Sequence, residues 1–150
     1  MKRRAWLGLA GGLALSLALA ACSRRGPTGR PVPPGASVLA LGDSLTYGTG
    51  APAEAAYPAE LARLTGWQVH NAGVPGDTAA QGLARLPALL ELHRPQLVLL
   101  CLGGNDLLRR LPVAELREHL SQAVALSREA GAQVMLIAVP QPSLGAAALG

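Results

Sequence analysis

Three short stretches hold residues able to carry out acyl transfer. Leu41-Gly42-Asp43-Ser44-Leu45 offers a hydroxyl, Gly73-Val74-Pro75-Gly76-Asp77-Thr78 a glycine turn, and Gly103-Gly104-Asn105-Asp106 a carboxamide. Acyl transfer to a serine requires an exposed hydroxyl, a base to take its proton, and donors for the oxyanion. Ser44 answers the first need if the chain turns sharply out of a strand just before it. Gly76, 32 residues later, has no Cβ, so its backbone can pass close to a tetrahedral centre with the N–H pointing inward. Asn105, 29 residues further on, supplies a neutral NH₂ donor that needs no pKa tuning. Each residue also has a plainer reading: an Asp-Ser turn, a tight loop glycine and a turn asparagine.

The elements that must position them are legible as alternating apolar runs and helical patterns. The run 38–41 ends abruptly in Gly-Asp-Ser and reads as a buried strand. Residues 67–70 form a modest second strand that places His70 at its end, 96–102 a continuous third strand covered on both faces, and 133–139 a fourth. A short helix over 59–65 has Pro58 at its first position and Gly66 as its stop. Asp77 and Thr78 supply N-cap chemistry for a helix bearing Leu83, Leu86 and Leu90 on one face, which Pro87 is expected to kink or restart. A long helix follows Pro112, with Leu116, Leu120 and Val124 on one stripe, and Gly131 ends it. Such alternation predicts an α/β fold: a flavodoxin-like doubly wound parallel sheet in three α/β/α layers. In a parallel sheet the strand ends share one edge, so hydroxyl, backbone donor and amide donor converge there.

In type, order and spacing, these motifs resemble the SGNH, or GDSL, hydrolase family. The likeness is strongest to its bacterial periplasmic thioesterase I/lysophospholipase and arylesterase subgroup. Asn71-Ala72, Gly76-Asp77-Thr78, the run Gly82-Leu83-Ala84-Arg85-Leu86-Pro87 and Gly103-Gly104-Asn105-Asp106 carry it, over roughly residues 37–140. The resemblance implies Ser44 as nucleophile, with its own N–H, Gly76 and Asn105 forming the oxyanion hole. It also implies an acyl ester or thioester substrate, with no cofactor and no metal. Asp43, Asp77 and Asp106 are expected to support the loops, with capping the simplest role for Asp77 and Thr78.

The family's base is a histidine in an Asp-x-x-His motif near the C-terminus, which this sequence does not contain. Its histidines are His70, His93 and His119. His93 and His119 read as solvated polar-face residues. His70 ends the second strand, at the correct edge of the sheet, but has no acid nearby to orient it. The expectation is a C-terminally incomplete domain that lacks its last strand and helix and is inactive as it stands. A pseudoenzyme and an unforeseen base are the alternatives.

The N-terminus reads as a leader. Lys2, Arg3 and Arg4 precede an uncharged apolar stretch over 5–20, closed by Leu19-Ala20-Ala21-Cys22. Residues 1–21 are expected to be a lipoprotein-type signal peptide, with Cys22 lipidated and the protein exported to the periplasmic side, anchored at a membrane surface. Residues 22–36, rich in Pro, Gly and Arg, are expected to be a tether, and 37–150 the hydrolase domain. The chain has 13 Lys+Arg against 9 Asp+Glu, and without the leader cations the balance is 10 against 9. No nucleic-acid footprint survives that subtraction. Cys101, inside an apolar run, reads as a small buried hydrophobe.

Three other readings compete. A dinucleotide-binding domain would use Gly48-Thr49-Gly50, but it lacks the third glycine and an acid at the next strand end, where His70 and Asn71 stand. A non-catalytic lipid-anchored binding protein would share the fold. A carbohydrate acetyl-esterase would share the chemistry, although Tyr47, Tyr57 and Trp67 are the only aromatic residues beyond the leader.

Overall fold

Four parallel strands form one sheet in the order β2-β1-β3-β4 in the computed structural model, which describes residues 29–139. The expected leader, residues 22–28 of the expected tether including Cys22, and the segment 140–150 lie outside the described residues. The strands are β1 (Ser37–Gly42), β2 (Gln68–Gly73), β3 (Leu97–Cys101) and β4 (Gln133–Leu136). The helices are α1 (Ser44–Tyr47), α2 (Tyr57–Thr65), α3 (Ala79–His93), α4 (Gly104–Leu108) and α5 (Val113–Glu129), with a 3₁₀ turn at Ala53–Ala55.

β1 and β3 lie in the middle and are apolar without alternation, because both of their faces are covered. Val38, Leu39, Ala40 and Leu41 are completely buried. On one face Leu39, Leu41, Val98 and Leu100 pack with Leu86 and Leu90 of α3 and Ala123 of α5. On the other, Val38, Ala40, Leu97 and Leu99 pack with Tyr57 and Leu61 of α2, together with Trp67 and Val32. The chain runs outward from β1 to β2, then crosses back over β1 to β3 and continues to β4. The strand order therefore reverses between β1 and β3, and a crevice opens at their carboxyl ends.

The α/β expectation holds, and most boundaries fall within two or three residues of it. Pro58 lies in the first turn of α2 and Gly66 closes it in the left-handed conformation (φ 72°). Four readings need correction. β2 runs to Gly73, three residues past His70, because Asn71 and Ala72 continue the pairing with β1. Pro87 does not end or restart α3, which continues through it as one helix with the proline on its exposed side. β4 stops at Leu136 rather than 139. The stretch read as a tether is already packed from about residue 29: Val32 joins the second cluster, its carbonyl accepts from Trp67 Nε1, and Ala36 is buried.

Candidate active site

Register explains why three distant motifs meet. Gly42 pairs with Gly73 on one side and with Cys101 on the other, so β1, β2 and β3 end in a common row. Ser44 stands two residues past that row, Gly76 three and Asn105 four. The two paired glycines also have a steric job. A methyl on Gly42 would strike the Thr46 side chain and the Cys101 carbonyl, and one on Gly73 would strike the main chain of Thr46 and Tyr47. Bare backbone at both positions lets α1 lie directly across the strand ends, which lifts Ser44 to the rim.

Asp43 caps α1: its Oδ1 accepts from Leu45 N–H at 3.0 Å, and Gly48 closes the turn in the left-handed conformation (φ 92°). Ser44 is half-buried, and among the described residues neither its hydroxyl nor its N–H has a hydrogen-bond partner. Beneath it lies a buried polar layer. Thr46 Oγ1 and Tyr57 OH are 3.1 Å apart, with Cys101 and Asp43 close by. Burial is the main force pushing the Tyr57 and Cys101 pKa values up, with Asp43 adding to both, so each stays neutral. Cys101 is a free buried thiol, as its place in an apolar run implies.

The glycine loop is held by side chains on its outer side. Arg85 donates to Asp77 Oδ2 through Nε (3.0 Å) and Nη2 (2.7 Å), and to the Ala72 carbonyl through Nη1 and Nη2 (3.2 Å each). Arg109 Nη2 donates to the Gly76 carbonyl at 2.7 Å. Asn105 Nδ2 donates to the Asp77 carbonyl at 2.9 Å and lies 3.4 Å from Asp43 Oδ2. Asp106 Oδ2 accepts from Ala79 N–H at 2.9 Å, so a carboxylate buried on α4 caps the first residue of α3. With these carbonyls engaged, Gly76, at φ 86°, keeps an N–H that has no partner among the described residues.

Ser44, Gly76 and Asn105 are thus brought to one rim, and Asp43, Asp77 and Asp106 all brace it. Asp77 does so by ion pairing with Arg85, and of the two residues expected to cap α3 it is Thr78 that does, in a capping box with Gln81. His70 is not at the rim. It lies mid-strand and stacks on His93 with ring centroids 4.0 Å apart, at the end where the His93 carbonyl accepts from Ser37 at the start of β1. Arg85, Arg109 and the helix α4 were not foreseen. An arginine inside the otherwise apolar Gly-Leu-Ala-Arg-Leu-Pro run was a usable signal for the first. The four-residue spacing from Asn105 would have flagged the second once α4 was recognised. Among the described residues no three His, Cys, Asp or Glu side chains gather into a metal-sized group. An apolar hollow of about 460 Å³ between α5 and Leu136 does not include the rim residues.

Fold and rim together define a class: a parallel α/β domain that presents a serine, a glycine N–H and a carboxamide at the crevice where its strand order reverses. The chain belongs to the GDSL-like Lipase/Acylhydrolase family, whose model matches residues 40–149. It is 42% identical over 110 residues to an arylesterase of Vibrio mimicus, covering 70% of this chain and 55% of that protein. It is 43% identical over 111 residues to thioesterase 1/protease 1/lysophospholipase L1 of Escherichia coli K12, covering 71% of this chain and 52% of that one. Among solved structures it resembles AlinE4, an SGNH-hydrolase family esterase, with a TM-score of 0.66 at 35% identity over 76% of this chain and 63% of that one. The chain spans about half the length of the curated relatives it matches.

Proposed function

We propose that the protein is a serine ester hydrolase acting on acyl esters or thioesters through an acyl-enzyme. Ser44 Oγ attacks the acyl carbonyl, the leaving alcohol or thiol departs with a proton, and water then releases the acid. The Ser44 N–H, the Gly76 N–H and Asn105 Nδ2 receive the oxyanion. The carrying observation is the pinned loop: the Gly76 and Asp77 carbonyls are held by Arg109 and Asn105, and among the described residues the Gly76 N–H is left without a partner at the same row of strand ends as Ser44. Preorganised donors of this kind supply much of the rate enhancement in acyl transfer. The names of the relatives support the same substrate class. Among the described residues no histidine bonds Ser44, and a site of this kind without its base keeps only the residual catalysis of its oxyanion donors and binding.

The test is hydrolysis of a p-nitrophenyl acyl ester and an acyl thioester by the full-length gene product and its Ser44→Ala variant. Loss of activity in the variant supports the reading, and equal rates in the two refute it. A second reading, a non-catalytic binding protein on the same fold, applies if the full-length gene product brings no base to Ser44. It predicts no hydrolysis by either protein.

Export and anchoring belong to the same proposal. The cationic start, the uncharged stretch and Leu19-Ala20-Ala21-Cys22 support cleavage before Cys22 and its acylation on the periplasmic side. Mass spectrometry of the mature N-terminus tests this, with a Cys22→Ser variant expected to accumulate uncleaved and unacylated.

A further inference from the structure

We infer that the amino-terminal edge of the sheet, opposite the Ser44 rim, docks on an anionic phospholipid surface through Arg30, Arg94 and Arg128. The inference rests on the proposed membrane attachment for its setting, and on three side chains for its chemistry. Arg30 and Arg94 line one open hollow of about 460 Å³ with Gln96 and Gln133. Arg30 and Gln133 also line the adjoining hollow of about 900 Å³, whose wall includes Arg128. All three arginines are exposed. Among the described residues the ion pairs join Arg63 to Glu60 and Arg85 to Asp77, so these three arginines are unpaired there.

General basicity does not explain this edge. Residues 29–139 contain 8 arginines and no lysine against 9 Asp+Glu, a net charge of −1. Glu91 and Glu129 lie near the ends of α3 and α5, which leaves three cations against two anions where the domain as a whole is slightly acidic. Position in the fold collects the cations. Arg94 follows α3 in the left-handed conformation (φ 42°), three residues before β3 begins. Arg128 lies in the last turn of α5. Arg30 is fixed by Gln133, the first residue of β4: its N–H donates to Oε1 at 2.6 Å and its carbonyl accepts from Nε2 at 3.0 Å.

That clamp also shows where the preceding chain joins the domain. The segment carrying Arg24, Arg25 and Cys22 connects at the same edge as the three arginines. Guanidinium groups match phosphate geometry, and cations near an anionic bilayer gain attraction that fades within a Debye length. A strand of five or six residues spans roughly 17–20 Å, so docking by this edge holds Ser44 about that far from the headgroups. The rim then opens away from the bilayer. Its substrates would come from the aqueous side rather than from the lipid beneath the protein.

The test uses vesicle flotation with the chain from Ser23 onward, which lacks Cys22 and the apolar leader. It keeps every residue of both hydrophobic clusters, all of which lie between Val32 and Ile137. Salt-sensitive binding to mixed phosphatidylcholine/phosphatidylglycerol vesicles is expected, with none to phosphatidylcholine alone. The Arg30→Gln/Arg94→Gln/Arg128→Gln variant should bind about a hundred-fold more weakly, at roughly five-fold per arginine. The matching triple lysine variant should keep most of the binding, and Arg110→Gln/Arg117→Gln should leave it unchanged. Arg24 and Arg25 stay in every variant, so the difference reports the edge alone. Equal binding by the triple glutamine variant, or equal binding to uncharged vesicles, overturns the inference. So does displacement by millimolar inorganic phosphate at constant ionic strength, which would assign the arginines to a free-anion pocket. The Ser44→Ala comparison is independent of this assay, so failure of one leaves the other standing.

Discussion

Asn105 Nδ2 donates to the main-chain carbonyl of Asp77 at 2.9 Å while lying 3.4 Å from the Asp43 carboxylate. One carboxamide thereby touches the loop of Gly76 and the turn of Ser44 together. The bond to the Asp77 carbonyl fixes the plane of the amide. The contact with Asp43 is at the weak limit of hydrogen bonding, which leaves the second N–H free to turn to an oxyanion.

Asn105→Ala in the full-length gene product is expected to lower kcat for an acyl ester by about 10²–10³, with KM little changed. Asn105→Asp should be at least as damaging, since it sets a second carboxylate against Asp43 and an acceptor against the Asp77 carbonyl. Steady-state kinetics on both variants check this. A fall of only a few-fold would remove Asn105 from the oxyanion hole.

Gly73→Ala tests whether the nucleophile turn depends on a bare strand end. Its methyl would collide with the backbone of Thr46 and Tyr47, which has no rotamer to relax into. The expected loss is about 1–3 kcal/mol of stability, and a shift of about an ångström at Ser44 should lower kcat roughly 10²-fold. Gly50→Ala is the control: its methyl meets nothing within 4 Å, and only the strain of φ +89° remains. Urea unfolding and kinetics on both variants should therefore separate. Full activity in Gly73→Ala would show that α1 is not seated as described.

Arg85→Ala should cost about 2–3 kcal/mol, because Asp77 is only 8% exposed and would be left without its cation. The double variant Arg85→Ala/Asp77→Ala should recover part of that loss, as removing both partners leaves no buried orphan charge. Chemical denaturation of the two singles and the double closes the cycle. Strict additivity would show that the pair is not coupled.

The fold was readable from sequence because β1 and β3 are unbroken apolar runs, and because Pro58, Gly66 and Gly131 mark helix limits by backbone rules alone. The three rim residues were readable because each follows a strand. The supports were not. Arg109 acts from the end of a five-residue helix too short to show periodicity, and Arg85 reaches Asp77 across two helical turns. Which side chain bonds a given loop carbonyl is decided by packing, not by local pattern. His70 was misplaced for a related reason. Asn71, Ala72 and Gly73 are poor strand formers, and pairing with β1 overrides that preference.

The stacked pair of His70 and His93 should make stability depend on pH. His70 has its pKa lowered, first by burial and then by the neighbouring imidazole. The unfolded chain therefore binds that proton more readily than the folded one, so stability rises with pH through this window. The contribution is complete above the ordinary histidine value of about 6.5 and is lost as pH falls below it toward the lowered folded value. Replacing His70 by glutamine removes both the stack and the titration. The variant should be somewhat less stable than the parent above neutral pH and should show a flatter profile, so that the two curves converge on acidification. Thermal melts from neutral to mildly acidic pH measure this directly, and parallel profiles for parent and variant would show that the stacked ring does not sense the proton.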